Sequence, residues 1–189
     1  MVQLYILRHG EAGKRMPAAS SSSIGDDRRS LTAAGRDEVK EVARALAALK
    51  VRPDLVATSP LARARETAEI VAKTLKVKKG GLEEWAELKP EGRRPDFYKK
   101  LAQLKPEASV MIVGHEPNLS TITAEMVFGT ASPGKVVLKK AGLAKLTVTS
   151  LHPRPQAELR WLLAPKHLKK MLGSAAAEEE EKKGRSKKS

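Results

Sequence analysis

The chain of 189 residues contains no cysteine. That removes disulfides, zinc–thiolate sites and every mechanism built on a cysteine nucleophile, the Cys-based phosphatases included. Aromatic residues are scarce, at 3%. Stacking platforms for nucleic acid are therefore not expected, and no nucleic-acid-binding motif is present, so no specific nucleic-acid partner is anticipated. No stretch approaches the ~18 uninterrupted apolar residues of a membrane-spanning helix. The first apolar run, VQLYIL at residues 2–7, is too short for the hydrophobic region of a signal peptide and ends in Arg8 rather than a small-residue cleavage site. A cytoplasmic protein with no membrane partner is expected. Negative charge is also in deficit: 22 Asp and Glu stand against 36 Lys and Arg, a net charge of +14. A surplus of this size favours anionic partners such as phosphorylated small molecules and phosphoproteins.

Apolar residues make up 41% of the chain and charged residues 31%, the balance of a soluble globular protein. The length suits one domain with some spare chain. The spare chain lies at residues 173–189, GSAAAEEEEKKGRSKKS, which hold no apolar side chain larger than Ala. Such a segment cannot bury a face and is expected to be a disordered charged tail after a domain over residues 1–172. Its acidic and basic residues nearly cancel, so almost all of the surplus belongs to the domain.

Periodicity supplies the elements. Residues 2–7, 54–58 (DLVAT) and 109–113 (SVMIV) read as short buried strands. Residues 12–27, with Pro17, four serines and Gly25, read as a loop. Apolar Val39, Val42, Ala43, Leu46 and Leu49 recur at helical spacing after a candidate cap, Thr32. Ser59-Pro60 reads as the start of a second helix, with Ser as cap. After Gly80-Gly81 a polar connection leads to a helix with Phe97, Leu101 and Leu104 inward. Another helix follows Pro117, then hairpin-like strands within residues 135–163 (KVVL, KLTVT, LRWLL), then a short basic helix over 166–172. The expected fold is α/β: a three-layer α/β/α sandwich with a mostly parallel central sheet, some antiparallel pairing at one edge, and a small or absent cap domain. In such sheets the site lies beyond the carboxyl ends of the strands.

The first strand is followed by Arg8-His9-Gly10-Glu11, the second by Ser59-Pro60-Leu61-Ala62-Arg63, and the 109–113 strand by Gly114-His115-Glu116-Pro117. If these strands are parallel neighbours, His9, His115, Arg8 and Arg63 meet at one edge. That set suits phosphoryl transfer, in which the protein mainly positions the group and neutralises its charge. The planar fork of Arg matches phosphate oxygens. A neutral imidazole can attack phosphorus and form a phosphohistidine. Gly10 after the nucleophile lets phosphate come close to the backbone. GEAGK at residues 10–14 is not a P-loop, because its glycine spacing is too short and no Ser or Thr follows Lys14. No cluster has metal-ligand spacing, so neither a metal nor another cofactor is expected.

These segments carry a resemblance. LRHGEAG at residues 7–13, TSPLARARET at 58–67 and VGHEPNL at 113–119 resemble the motifs of the histidine phosphatase superfamily, the phosphoglycerate-mutase-like proteins with an RHG motif. RSLTAAG at 29–35, ELKPEG at 87–92 and LRWLLAPKHLKKM at 159–171 extend the likeness toward the short SixA-type phosphohistidine phosphatases. It spans residues 1–172. The resemblance implies His9 as nucleophile, with Arg8, Arg63, His115 and the backbone at Gly10 on the phosphate. Arg65 is read as solvated. In the mutase branch an acid from an inserted segment protonates the leaving oxygen; here residues 76–109 are too few for a large cap, and Glu87 is the candidate donor. The function implied is a metal-independent, cofactor-free phosphatase acting on phosphohistidine in a partner protein. The alternatives are a phosphomonoesterase acting on a small phosphorylated substrate and a non-catalytic phosphate-binding module. The sequence leaves the oligomeric state open.

Overall fold

The run VQLYIL becomes β1 (Gln3–Arg8), and its side chains alternate between two cores. Tyr5 and Leu7 enter one apolar cluster and Leu4 and Ile6 the other, as the period of two in a strand requires. The computed structural model describes residues 1–14, 26–130, 136–171 and 173. Over these the sheet has six strands: β1, β2 (Leu55–Thr58), β3 (Leu82–Glu84), β4 (Ser109–Gly114), β5 (Leu143–Ser150) and β6 (Gln156–Leu163), in the order β3-β2-β4-β1-β5-β6. The first four in that order run parallel, and β5 and β6 add antiparallel pairing at one edge.

Helices cover both faces. On one, α1 (Ala33–Ala48) buries Val39, Val42 and Leu46, and α2 (Ala62–Thr74) buries Ala64, Ala68 and Val71. The small side chains of α2 let it lie close to the sheet. Leu168, from the closing helix over residues 165–171, joins this layer. On the other face α3 (Arg94–Ala102) contributes Phe97 and Leu101, and α4 (Asn118–Phe128) contributes Leu119, Ile122 and Met126. Thr32 caps α1 as expected, its hydroxyl accepting the Gly35 N–H at 2.9 Å. Gly35 itself is dictated by close approach, since a Cβ there would lie 2.1 Å from the Glu11 carbonyl oxygen.

Registry places the site. Arg8 pairs with Gly114 across β1 and β4, and Thr58 pairs with Val113 across β2 and β4. The residues that follow, His9, His115 and Ser59, therefore emerge together at the carboxyl edge.

Three expectations are corrected. α2 starts at Ala62, with Leu61 as its cap residue, not at Ser59-Pro60. Residues 82–84, expected to be connection, form the parallel edge strand β3; all three are exposed and show no apolar pattern. Residues 136–138 form no strand, although Val136 and Leu138 are buried. Of the expected tail only Gly173 is described, and most of the expected loop over 12–27 also lies outside the described residues.

Candidate active site

His9 is 7% exposed, and its backbone N–H donates to the Gly114 carbonyl at 3.1 Å. Its Nδ1 lies 2.7 Å from the Gly10 carbonyl oxygen. A carbonyl only accepts, so Nδ1 carries the proton and the Nε2 lone pair is left available. Nε2 has no hydrogen-bond partner among the described residues. Burial, partly opposed by the Gly10 hydrogen bond and reinforced by the charges of Arg63, Arg8 and Arg29, lowers the His9 pKa to about 4. His9 is therefore a neutral base at pH 7.

His115 lies against it, with ring centroids 4.9 Å apart and the rings tilted by 50°. His115 Nε2 lies 2.9 Å from Ser59 Oγ, and Nδ1 is buried without a partner among the described residues. Burial first, then His9 and the same arginines, holds His115 far below the ordinary histidine value. Two neutral imidazoles thus sit inside a ring of positive charge.

Arg8, Arg29 and Arg63 line a cleft of about 640 Å³ together with His9 and His115. Arg8 donates to the Leu138 carbonyl at 2.8 Å, and Arg29 to the Gly13 carbonyl at 3.1 Å. Arg63 donates to the backbone carbonyl of Asp26 at 2.9 Å and to its carboxylate at 3.2 Å. Asp26 also pairs with Arg29, at 3.3 Å. The Nε atoms of all three arginines are buried without a partner among the described residues. Such donors are costly to leave unmade, and a multivalent oxyanion would satisfy them.

The sequence-derived residues are thus brought together, with two exceptions. Glu87 does not line the cleft. Its carboxylate accepts from Lys100 of α3 at 3.0 Å, and its carbonyl accepts from Asn118 of α4 at 3.0 Å. Asn118 also holds the Lys89 carbonyl, at 2.8 Å, and the turn so fixed presents Pro90 and Glu91 to the cleft instead. Gly10 is also fixed by packing and does not line the cleft: its N–H donates to Thr67 Oγ1 at 3.1 Å, and a Cβ there would meet Val39 at 2.6 Å. Arg65 is exposed, 3.6 Å from Glu84.

Sequence reasoning missed Arg29, Asp26, Ser59, Thr67 and Glu91. Thr67 had a signal: it is a polar residue four positions after Arg63, on the buried face of α2. Its hydroxyl donates to the Arg63 carbonyl at 2.7 Å while accepting from Gly10, so it ties the nucleophile loop to the arginine helix.

The low His9 pKa is also a stability statement. The unfolded chain binds a proton near 6.5 that the fold resists until about 4. Stability is complete above pH 6.5 and declines as pH falls toward 4, by about 3 kcal/mol for a shift of this size. Melting temperature in phosphate-free buffer should therefore drop between pH 7 and 4.5, and His9→Gln should shrink that drop. An unchanged drop in His9→Gln would contradict the assignment.

Residues 4–95 match the family model described as histidine phosphatase superfamily (branch 1). Phosphohistidine phosphatase SixA of Escherichia coli is 31% identical over 170 residues, covering 89% of this chain and 97% of that protein. The solved structure of the protein histidine phosphatase SixA complexed with tungstate superposes with a TM-score of 0.73 at 30% identity, covering 88% of this chain and 99% of the other. Mycobacterial glucosyl-3-phosphoglycerate phosphatase with inorganic phosphate shares the fold, at a TM-score of 0.65, 15% identity, and coverage of 87% and 98%. Sequence identity across nearly the whole domain, together with two histidines and their arginines at one sheet edge, makes this chain a member of the histidine phosphatase superfamily.

Proposed function

We propose that this protein is a phosphatase that removes phosphoryl groups from histidine in proteins through a covalent phosphohistidine on His9. The observation that carries this reading is the tautomer of His9: Nδ1–H is spent on the Gly10 carbonyl, so Nε2 offers its lone pair to the arginine-lined cleft. In the first step Nε2 bonds to phosphorus as the bond from phosphorus to the substrate imidazole breaks, and the departing nitrogen takes a proton from solvent water in the cleft. In the second, water attacks phosphorus, the P–Nε2 bond breaks, and inorganic phosphate leaves. Arg8, Arg29, Arg63 and His115 Nδ1 hold the phosphoryl oxygens and supply the charge neutralisation that a metal gives elsewhere.

The leaving group decides how much acid is needed. An imidazole nitrogen is protonated readily near neutral pH, whereas an alkoxide is not. The chain between α2 and β4 builds only β3, a 3-10 turn (Ala86–Leu88) and α3, with no cap domain in that stretch, which favours a protein over a small metabolite. A turnover panel tests the reading. A phosphohistidine protein should be hydrolysed faster than phosphoserine proteins or sugar phosphates by at least about two orders of magnitude in kcat/KM. The rate should persist after exhaustive EDTA treatment. A clear preference for a sugar phosphate or nucleotide would replace this reading with that of a small-molecule phosphomonoesterase, and no turnover of any phosphate would leave a binding module.

A further inference from the structure

Beside the cleft lies a shallower hollow of about 550 Å³ that shares Arg8 and Lys140 with it. Lys139, Lys166, Ala164, Pro165 and Glu38 form the rest of its wall. Glu38 is the sole carboxylate there among the described residues, and it is paired with Lys169 at 3.8 Å. Lys140 meets Glu11 at 3.3 Å, with both side chains about half exposed. An exposed pair of this kind contributes ~0–1 kcal/mol and is easily exchanged. Lys139 and Lys166 are exposed and have no ion pair among the described residues.

These lysines sit on well-anchored backbone. The turn that carries Lys139 and Lys140 is fixed to the nucleophile itself, with Ala141 N–H donating to the His9 carbonyl at 3.1 Å and Gly142 N–H to the Lys139 carbonyl at 2.8 Å. Lys166 lies in the first turn of the closing helix, which Leu168 anchors in the core. The positive trough therefore keeps a set position relative to His9, while its ammonium groups remain mobile on their stems.

We infer that this trough receives an acidic stretch of the phosphoprotein, next in sequence to the phosphorylated histidine, so that segments rich in Asp or Glu are selected. The inference rests on the phosphohistidine reading above and adds the chemistry of the flanking residues. Lysines favour it over a small-anion site: they are flexible point charges that tolerate varied carboxylate geometry, without the rigid bidentate fork of the arginines in the cleft. The trough has no aromatic wall on which a nucleic-acid base could stack.

Two synthetic peptides test it, each with one phosphohistidine, flanked in one by glutamates and in the other by glutamines. At low salt the wild-type protein should favour the glutamate peptide by about tenfold in kcat/KM, mostly through KM, the effect of two exposed charge contacts together. The preference should shrink in 0.5 M NaCl. In the Lys139→Gln/Lys166→Gln double variant it should fall to parity, while turnover of the glutamine peptide and of phosphoramidate stays within about twofold of wild type. Equal wild-type rates on two peptides that are both hydrolysed, or a preference that survives in the double variant, would overturn the trough alone. Hydrolysis of phosphoramidate without hydrolysis of either peptide would overturn the protein-substrate reading and the trough with it.

Discussion

Replacing His9 by alanine should abolish turnover, with a loss of at least about 10⁴-fold, the scale seen when a nucleophile is removed from a site whose parts act as a unit. His115, the other imidazole lining the cleft, has its Nε2 at 2.9 Å from Ser59 Oγ and its Nδ1 is proposed as a donor to the phosphoryl group, so it is not set to replace His9. The loss should not come from unfolding. Among the described residues the His9 side chain bonds only to the carbonyl of its neighbour Gly10, and the backbone bond to Gly114 survives the substitution. Removal of an imidazole that resists protonation should even make the fold less sensitive to acid. Circular dichroism of His9→Ala should match wild type, and a folded variant retaining a tenth of wild-type kcat would contradict the assignment.

Arg63→Ala should lower kcat by about 10²–10³-fold, the usual cost of one transition-state donor. The Arg63 side chain is only 4% exposed, and Asp26 holds both of its terminal nitrogens, which leaves a buried Nε for the phosphoryl group. Arg63→Lys should recover little, because an ammonium keeps the charge but loses the planar fork. Arg65→Ala, two positions along the same helix, is the internal control. Its side chain is about half exposed beside Glu84, and its loss should leave kcat within about twofold. A ratio between the two alanine variants near one would show that the clamp lies elsewhere.

The strand ends were legible because buried parallel strands read as unbroken apolar runs. VQLYIL, DLVAT and SVMIV each announce where the chain reaches the sheet edge, so the residues just after them could be assigned to one place. β3 gave no such notice: its three exposed residues are held by backbone pairing to β2, which leaves no trace in side-chain pattern. Ser59 illustrates a different limit. Ser-Pro is a good local helix start, yet the hydroxyl bonds His115, 56 residues away, and a partner at that distance overrides local preference. Glu87 and Glu91 are four residues apart in one polar stretch. Only Lys100 and Asn118, on later helices, decide that the first turns away and the second reaches the cleft. Arg29 and Asp26 were hidden for the same reason. They sit in a polar segment without periodicity and reach the cleft because the Ala12–Leu31 bridge and the Arg29–Gly13 hydrogen bond hold residues 26–31 beside the end of β1.

The covalent intermediate is the central claim, and rapid-quench trapping tests it most directly. The protein is mixed with ³²P-labelled phosphohistidine substrate, quenched with base within milliseconds and digested, and the label is located. A phosphoramidate bond survives base and is lost in acid, so an acid-treated control separates it from a phosphoester. His115→Asn, which is expected to slow hydrolysis of the intermediate, is run alongside wild type to raise its population. The expected result is base-stable, acid-labile phosphate on the peptide containing His9, with chiral phosphate released in net retention after two displacements. No label at His9 in either protein, with a single inversion at phosphorus, would mean that water attacks the substrate directly and that His9 is not the nucleophile.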